Sequence, residues 1–209
     1  MLLSYIEERI ARLQRPTIIS INGAITSGKT TLSKELEQYL KGRGYATQLV
    51  CVDDFHTPRA VRMKDGSIFH YYEHAIDLQQ LGDLLSDMKR EPVNRTLTLL
   101  DMNTDTYVNS QTYRTDMNTI IIVEGVFLHR PPIAQLFDYR IYLDVSDEEI
   151  MRRGRERDVP KFGEQILAQY ESFYIPLQRL YEELCAPKDQ CDLVIDTNKQ
   201  PPFIVSPAE

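Results

Sequence analysis

Paired cysteines, long apolar runs, internal repeats and a surplus of positive charge are all missing from this 209-residue chain, and each absence removes a class of function. The three cysteines, Cys51, Cys185 and Cys191, show no Cys-x-x-Cys and no Cys/His spacing. Neither a disulfide framework nor a zinc site is therefore expected, and a reducing compartment is the simplest setting. No segment reaches the roughly 18 apolar residues of a membrane span, and the opening MLLSYIEERIARLQRP scatters charges where a signal peptide needs an apolar core. The expectation is a cytoplasmic protein without a membrane partner. Lys and Arg number 24 against 31 Asp and Glu, a net charge of −7. That excludes a broad basic surface for nucleic acid, so any polyanion must bind at a local basic site. What is present is ordinary for a globular protein, 42% hydrophobic and 26% charged residues, in a length that suits one domain over 1–209.

Leu3, Ile6, Ile10 and Leu13 fall at helical spacing ahead of Pro16, predicting a short amphipathic helix before the core. Residues 17–22 are a charge-free, β-branched run of the kind buried on both faces of a parallel sheet. Leu32, Leu36, Tyr39 and Leu40 then form a helical stripe over 30–40, with Gly42 and Gly44 as terminators. Further strands are predicted at 48–52, 119–123, 139–145 and 193–195, and Ser146-Asp147-Glu148-Glu149 reads as a capping box that opens a helix. Strands alternating with helices predict an α/β fold, a parallel sheet with helices on both faces. The stretch 54–118 is too long for a bare loop. Within it Leu78, Leu81, Leu85 and Met88 mark a helix capped by Asp77, and 96–100 and 106–108 read as short strands.

The chemistry is written most plainly in Gly23-Ala24-Ile25-Thr26-Ser27-Gly28-Lys29-Thr30, which fits GxxxxGK[ST] at every fixed position and lies between a predicted strand and a predicted helix. Glycines let backbone N–H groups turn toward phosphates, the helix N-terminus favours negative charge, Lys29 neutralises phosphate oxygens and Thr30 offers a hydroxyl to Mg²⁺. Asp53 and Glu124 close the second and third strands, at the sheet edge where open α/β folds bind ligands. One can hold Mg²⁺ and the other can take a proton from an attacking hydroxyl, although strand ends are often polar without a function. The run Arg152-Arg153-Gly154-Arg155-Glu156-Arg157-Asp158 is either a solvated helical face or an arginine-bearing lid.

These residues resemble the uridine kinase, phosphoribulokinase and pantothenate kinase family of P-loop small-molecule kinases. Asp53-Asp54-Phe55-His56 is similar to the family's Asp-x-Phe-Tyr or Asp-x-Phe-Leu motif, and Val123-Glu124-Gly125 to its Glu-Gly. Arg153 and Arg157-Asp158 look like the lid arginines, followed by a helix in which Gln169 falls at a substrate-contact position. The resemblance implies a P-loop three-layer sandwich with five parallel strands in order 2-3-1-4-5, a substrate-binding insertion over 54–118 and a lid over 152–163. It implies ATP and Mg²⁺ as cofactors and a small-molecule hydroxyl compound as partner. ATP would rest on Gly23, Ala24, Thr26, Ser27, Gly28, Lys29, Thr30 and Thr31. Asp53 would be the catalytic base, with Lys29, Arg153 and Arg157 stabilising charge, and Thr30, Glu124 and Asp53 would serve the metal. Asp53, His56, Tyr72, His74, Asp101 and Gln169 make up the expected substrate side. The implied reaction is phosphorylation of a nucleoside 5′-hydroxyl, as in uridine or cytidine.

The sequence also departs from uridine kinases where a nucleoside would be read. Thr98-Leu99-Leu100-Asp101 stands for their Pro-x-Tyr-Asp, and Val159-Pro160-Lys161-Phe162 replaces Glu-Arg-Gly-Arg, with Lys161 as a partial substitute. Asp53-Asp54-Phe55-His56-Thr57-Pro58 looks as much like nicotinamide riboside kinases. Tyr71, Tyr72 and His74 can stack on a ring or belong to the core. Nicotinamide riboside, another small molecule, or a regulatory nucleotide switch without acceptor stay open, as does self-association.

Overall fold

The computed structural model describes residues 2–199 and 203–207. Helix α1 (Leu2–Ile10) buries Ile6 and Ile10 and stops one turn before the expected Leu13. β1 (Thr17–Gly23) is buried at every position, as its uncharged composition requires. Gly28, at φ 98° in the left-handed region, caps α2 (Lys29–Gly42), and β2 (Thr47–Cys51) runs straight into a 3₁₀ turn, Val52–Phe55, that carries Asp53 and Asp54.

The insertion then builds α3 (Arg59–Arg62), α4 (Ile68–His74), α5 (Leu78–Arg90) and an antiparallel hairpin of β3 (Val93–Asp101) and β4 (Thr106–Thr115). Asp77 caps α5 as expected, accepting a hydrogen bond from Gln80 N at 2.9 Å. The hairpin strands are longer than their sequence suggests, because most of β4 is solvent-facing and carries polar residues with no apolar alternation.

The chain returns to the main sheet with β5 (Ile120–Gly125) and β6 (Tyr139–Asp144). α6 (Asp147–Phe162) follows, so the arginine run lies in mid-helix and not at its end. Ser146 Oγ accepts from Glu149 N at 3.3 Å, but the reciprocal half of the box is not made: Ser146 N donates to Asn198 Oδ1 at 2.8 Å. The Glu149 carboxylate pairs instead with Arg152 and Arg153. α7 (Gln165–Gln169), a π-helical turn at Tyr170–Tyr174 and α8 (Ile175–Cys185) continue as one path, the wide turn accommodating Pro176, which has no N–H to donate. β7 (Leu193–Asp196) and β8 (Phe203–Pro207) end the sheet.

The sheet order is β2-β5-β1-β6-β7-β8, its first five strands parallel and β8 antiparallel to β7. The five parallel strands keep the expected number and 2-3-1-4-5 order, and β8 adds an antiparallel strand at the edge. Successive residues alternate between two cores. Ile18, Ile121 and Val123 meet α5 and the hairpin, whereas Ile19, Ile21, Ile120 and Ile122 meet α1 and α2. This is the three-layer sandwich. Among the described residues no helix is long and apolar enough to cross a membrane.

His129, fully buried after β5, shares a hydrogen bond with Ser20 Oγ at 2.8 Å and lies 3.3 Å from Cys191 Sγ. Burial lowers its pKa to about 4, below the 6.5 of a free imidazole. The unfolded chain therefore binds more protons between those values, and stability is complete above pH 6.5 and falls as pH drops toward 4. The shift corresponds to about 3 kcal/mol. Unfolding free energies measured from pH 7 to pH 4 should show this loss, and His129→Gln should remove that component of the slope; an unchanged slope in the variant contradicts the assignment.

Candidate active site

The phosphate loop is held in shape by contacts at its entry and its exit. Asn22 Oδ1 accepts from Gly23 N at 2.9 Å while Asn22 Nδ2 donates to Tyr181 OH at 2.6 Å. Neither residue stands out in the sequence, since a lone Asn and a helical Tyr carry no motif. Thr26 adopts φ 60°, and Lys29 Nζ donates to Ala24 O at 2.7 Å across the loop. Burial lowers the Lys29 pKa, an effect opposed by Asp53 and Glu124. Ser27 Oγ is buried with no hydrogen-bond partner among the described residues. An orphaned hydroxyl, a lysine and the start of α2 in one loop fit a phosphate chain.

Strand register brings the acids to this loop. Glu124 stands opposite Ile21 of β1 and Cys51 of β2, and it accepts from Thr30 Oγ1 at 3.0 Å and from Cys51 Sγ at 3.3 Å. Two residues past Cys51, Asp53 is open to solvent. Asp54 beside it is half-buried, and burial first, then Asp53 and Glu124, raise its pKa.

Asp53, Glu124, Lys29, Thr30 and Arg157 line one cavity of about 270 Å³, closed on its far side by His56, Tyr71, Met102, Phe127 and Tyr174. His56 Nδ1 lies 2.9 Å from the carbonyl of Asp53 and so donates to it, leaving Nε2 as an acceptor 3.5 Å from Tyr71 OH. On the other side of Lys29, a groove of about 600 Å³ runs past Thr26, Gly28, Thr30, Thr31, Arg153 and Arg157. It leads to a space of about 830 Å³ lined by Leu2, Leu3, Gly28, Thr31, Tyr39, Arg153, Ile195 and Thr197.

Arg153 and Arg157 sit one helical turn apart but are used differently. Arg153 Nε donates to Glu149 Oε1 at 2.7 Å, Nη1 to Thr26 O at 3.1 Å and Nη2 to Thr197 O. Its guanidinium is thereby occupied, and Arg153 clamps the phosphate loop to α6 and to the turn after β7 while still bordering the groove. Arg157 grips Asp158 with Nε at 2.9 Å and Nη2 at 2.8 Å, and faces both the cavity and the groove. Tyr170 OH also donates to Asp158, whose pKa the Arg157 guanidinium lowers.

The expected substrate side divides. Asp53 and His56 meet in the cavity. Gln169 borders an adjoining space of about 430 Å³ with Arg59, Arg62, Met63, Tyr71, Met102, Phe173 and Tyr174. Tyr72 does not face either space; it is buried against Phe127, Leu177 and Tyr181 with its hydroxyl 3.2 Å from Cys185 Sγ, and its neighbour Tyr71 takes the cavity position. His74 is exposed, its ring 4.3 Å from that of His70. Asp101 shapes the hairpin turn, accepting from Asn103 N at 2.8 Å, while the next residue, Met102, enters the cavity. The same turn is tied to α3 by Asp105, which accepts from Arg59 N at 2.9 Å and from Arg62 Nη1 at 3.0 Å.

A phosphate loop with two strand-end acids on a parallel sheet defines a P-loop nucleotide-binding protein. A family model described as AAA domain matches residues 19–170, and the chain belongs to that family. It is similar to the uridine kinase of Limosilactobacillus reuteri (strain DSM 20016), 24% identical over 191 residues that cover 89% of this chain and 85% of that one. The uridine kinase of Streptococcus pyogenes serotype M5 is 28% identical over 194 residues, 88% of each chain. A solved structure described as a possible uridine kinase from Bacillus stearothermophilus matches with a TM-score of 0.73 at 26% identity, over 92% of this chain and 96% of that one. Fold and relatives alike are those of a P-loop protein, and the two curated relatives named here are uridine kinases.

Because Asp105 accepts from the backbone of Arg59 and the side chain of Arg62 in α3, Asp105→Ala should release the hairpin turn. Limited proteolysis should then cut within 102–105 faster than in the parent protein, and amide exchange at Arg59 should accelerate. Equal rates for both proteins would show that other contacts hold the turn.

Proposed function

We propose that the protein transfers the terminal phosphoryl group of ATP to a hydroxyl of a small molecule, the 5′-hydroxyl of a nucleoside such as uridine or cytidine being the leading acceptor. The observation that carries this reading is the cavity where Asp53, Lys29, Thr30, Glu124 and Arg157 converge against an aromatic wall. Asp53 accepts the proton of the acceptor hydroxyl as its oxygen attacks; the new O–P bond forms while the bond to ADP breaks. Lys29 and Arg157 stabilise the charge that spreads over the transferring group, and Arg153 keeps the loop beneath it in place. The apolar space beside Gly28 and Arg153 is large enough for a purine base.

Thr30, Glu124 and Asp53 are oxygen donors that suit Mg²⁺. Among the described residues no three or more His, Cys, Asp or Glu side chains form a metal cage, and a hard cation that draws most of its shell from phosphates and water requires none. Bound there, Mg²⁺ would supply neutralisation of phosphate charge. The free thiols of Cys51, Cys185 and Cys191 support a cytoplasmic setting for this activity.

The names of the relatives favour a nucleoside. A second reading, nicotinamide riboside, draws support from Asp53-Asp54-Phe55-His56-Thr57-Pro58. ADP formation with Mg·ATP against uridine, cytidine, nicotinamide riboside, pantothenate, ribulose 5-phosphate and glycerate tests the proposal. One acceptor should stimulate turnover, and Asp53→Asn should lower that turnover by about 10²- to 10⁴-fold while nucleotide still binds. Tight ATP binding with no stimulation by any acceptor would instead favour a regulatory nucleotide-binding protein.

A further inference from the structure

The cavity holding Asp53 and the adjoining space of about 430 Å³ share Tyr71, Met102 and Tyr174 as common walls. Asp53 and Lys29 lie in the first, so a hydroxyl to be phosphorylated belongs there, and the rest of an acceptor extends into the second. The charged side chains among the described residues lining that second space are Arg59 and Arg62, both positive, in a chain whose net charge is −7.

The two arginines are not equivalent. Arg62 is buried and satisfied, donating to Thr57 O and pairing with Asp105 at 3.0 Å. The Asp105 carboxylate is further engaged by the backbone N–H of Arg59 at 2.9 Å to each oxygen. The exposed Arg59 guanidinium makes no hydrogen bond and no close ion pair among the described residues, although its charge helps to lower the Asp105 pKa. The exposed amide of Gln169, on the same lining, makes no hydrogen bond among the described residues. Aromatic rings line the same space. Tyr71 and Phe173 meet edge to face with centroids 5.1 Å apart, and Phe173 meets Tyr174 in the same manner at 5.6 Å. Met63 and Met102 add adaptable apolar surface.

A planar fork of donors, an amide and aromatic walls suit a ring with an acidic substituent, since guanidinium recognises carboxylates through two parallel hydrogen bonds. We infer that the second space takes the end of the acceptor remote from the phosphorylated hydroxyl, and that this end is a flat ring bearing a carboxylate-type anion held by Arg59 and Gln169. This rests on the kinase reading above and narrows its substrate class.

The test uses acceptor pairs that differ only in charge: nicotinamide riboside against nicotinic acid riboside, and uridine against its 5-carboxylate. With the full-length protein and Mg·ATP, the acid of at least one pair should show kcat/KM about tenfold or more above its neutral partner, mainly through KM. In Arg59→Gln that ratio should collapse toward one, and Arg59→Lys should restore part of it. A ratio near or below one in the parent protein, or a ratio that survives Arg59→Gln, overturns the inference while leaving the kinase reading intact. Failure of every member of both pairs while another compound of the acceptor panel stimulates turnover overturns the inference alone; failure of the whole panel, with ATP binding preserved, overturns both.

Discussion

Ile21, Glu124 and Cys51 stand side by side on three neighbouring parallel strands, and the chemistry depends on that register. Just past Ile21 the chain enters the phosphate loop, and just past Cys51 it turns to present Asp53. Glu124, between them, reaches Thr30 at the start of α2. A slip of one residue would turn Glu124 to the opposite face of the sheet and part it from the loop. Gly125 guards the register from the other side: a Cβ there would lie 2.4 Å from the Cβ of Val52, so only glycine lets the 3₁₀ turn lie against the end of β5. The site is thus an edge property of the sheet, set by strand register and by the packing immediately beside the acids.

The parallel strands were legible because a strand covered on both faces tolerates few charges, and runs such as Ile120-Ile121-Ile122-Val123 announce themselves. The hairpin was underestimated for the opposite reason. Its outer strand, Thr106–Thr115, faces water and gains its order from pairing with β3 rather than from composition. Within the site, the phosphate loop was readable residue by residue because its geometry belongs to the backbone. Tyr71 and Tyr72 were not separable, since α4 spans only Ile68–His74 and so short a helix does not reveal its phase. The division of labour between Arg153 and Arg157 needed partners distant in sequence, Thr26 and Thr197 for one, Tyr170 for the other.

Those two arginines show how one helix serves two tasks. Four residues apart, they share a face of α6, with Gly154 between them lying so close to the Tyr170 ring that a Cβ would come within 2.8 Å of it. The close crossing lets Tyr170 reach Asp158 and thereby fixes the pose of Arg157. A basic run that reads as a solvated face in sequence is, in the fold, a clamp on one turn and a charge aimed at the cavity on the next.

The strand order has a consequence for how the protein is made. β1 lies at the centre of the parallel sheet, and its neighbours, β5 and β6, are translated only after the whole insertion has been synthesised. Thr17–Gly23 therefore emerges without a strand to pair with and stays an uncharged, unpaired ribbon until Ile120–Gly125 has been synthesised. Pairing across so long a separation is slow, and exposed strand edges attract other chains while it is pending. The phosphate loop, hung on β1, therefore acquires its shape only once β5 and β6 are in place.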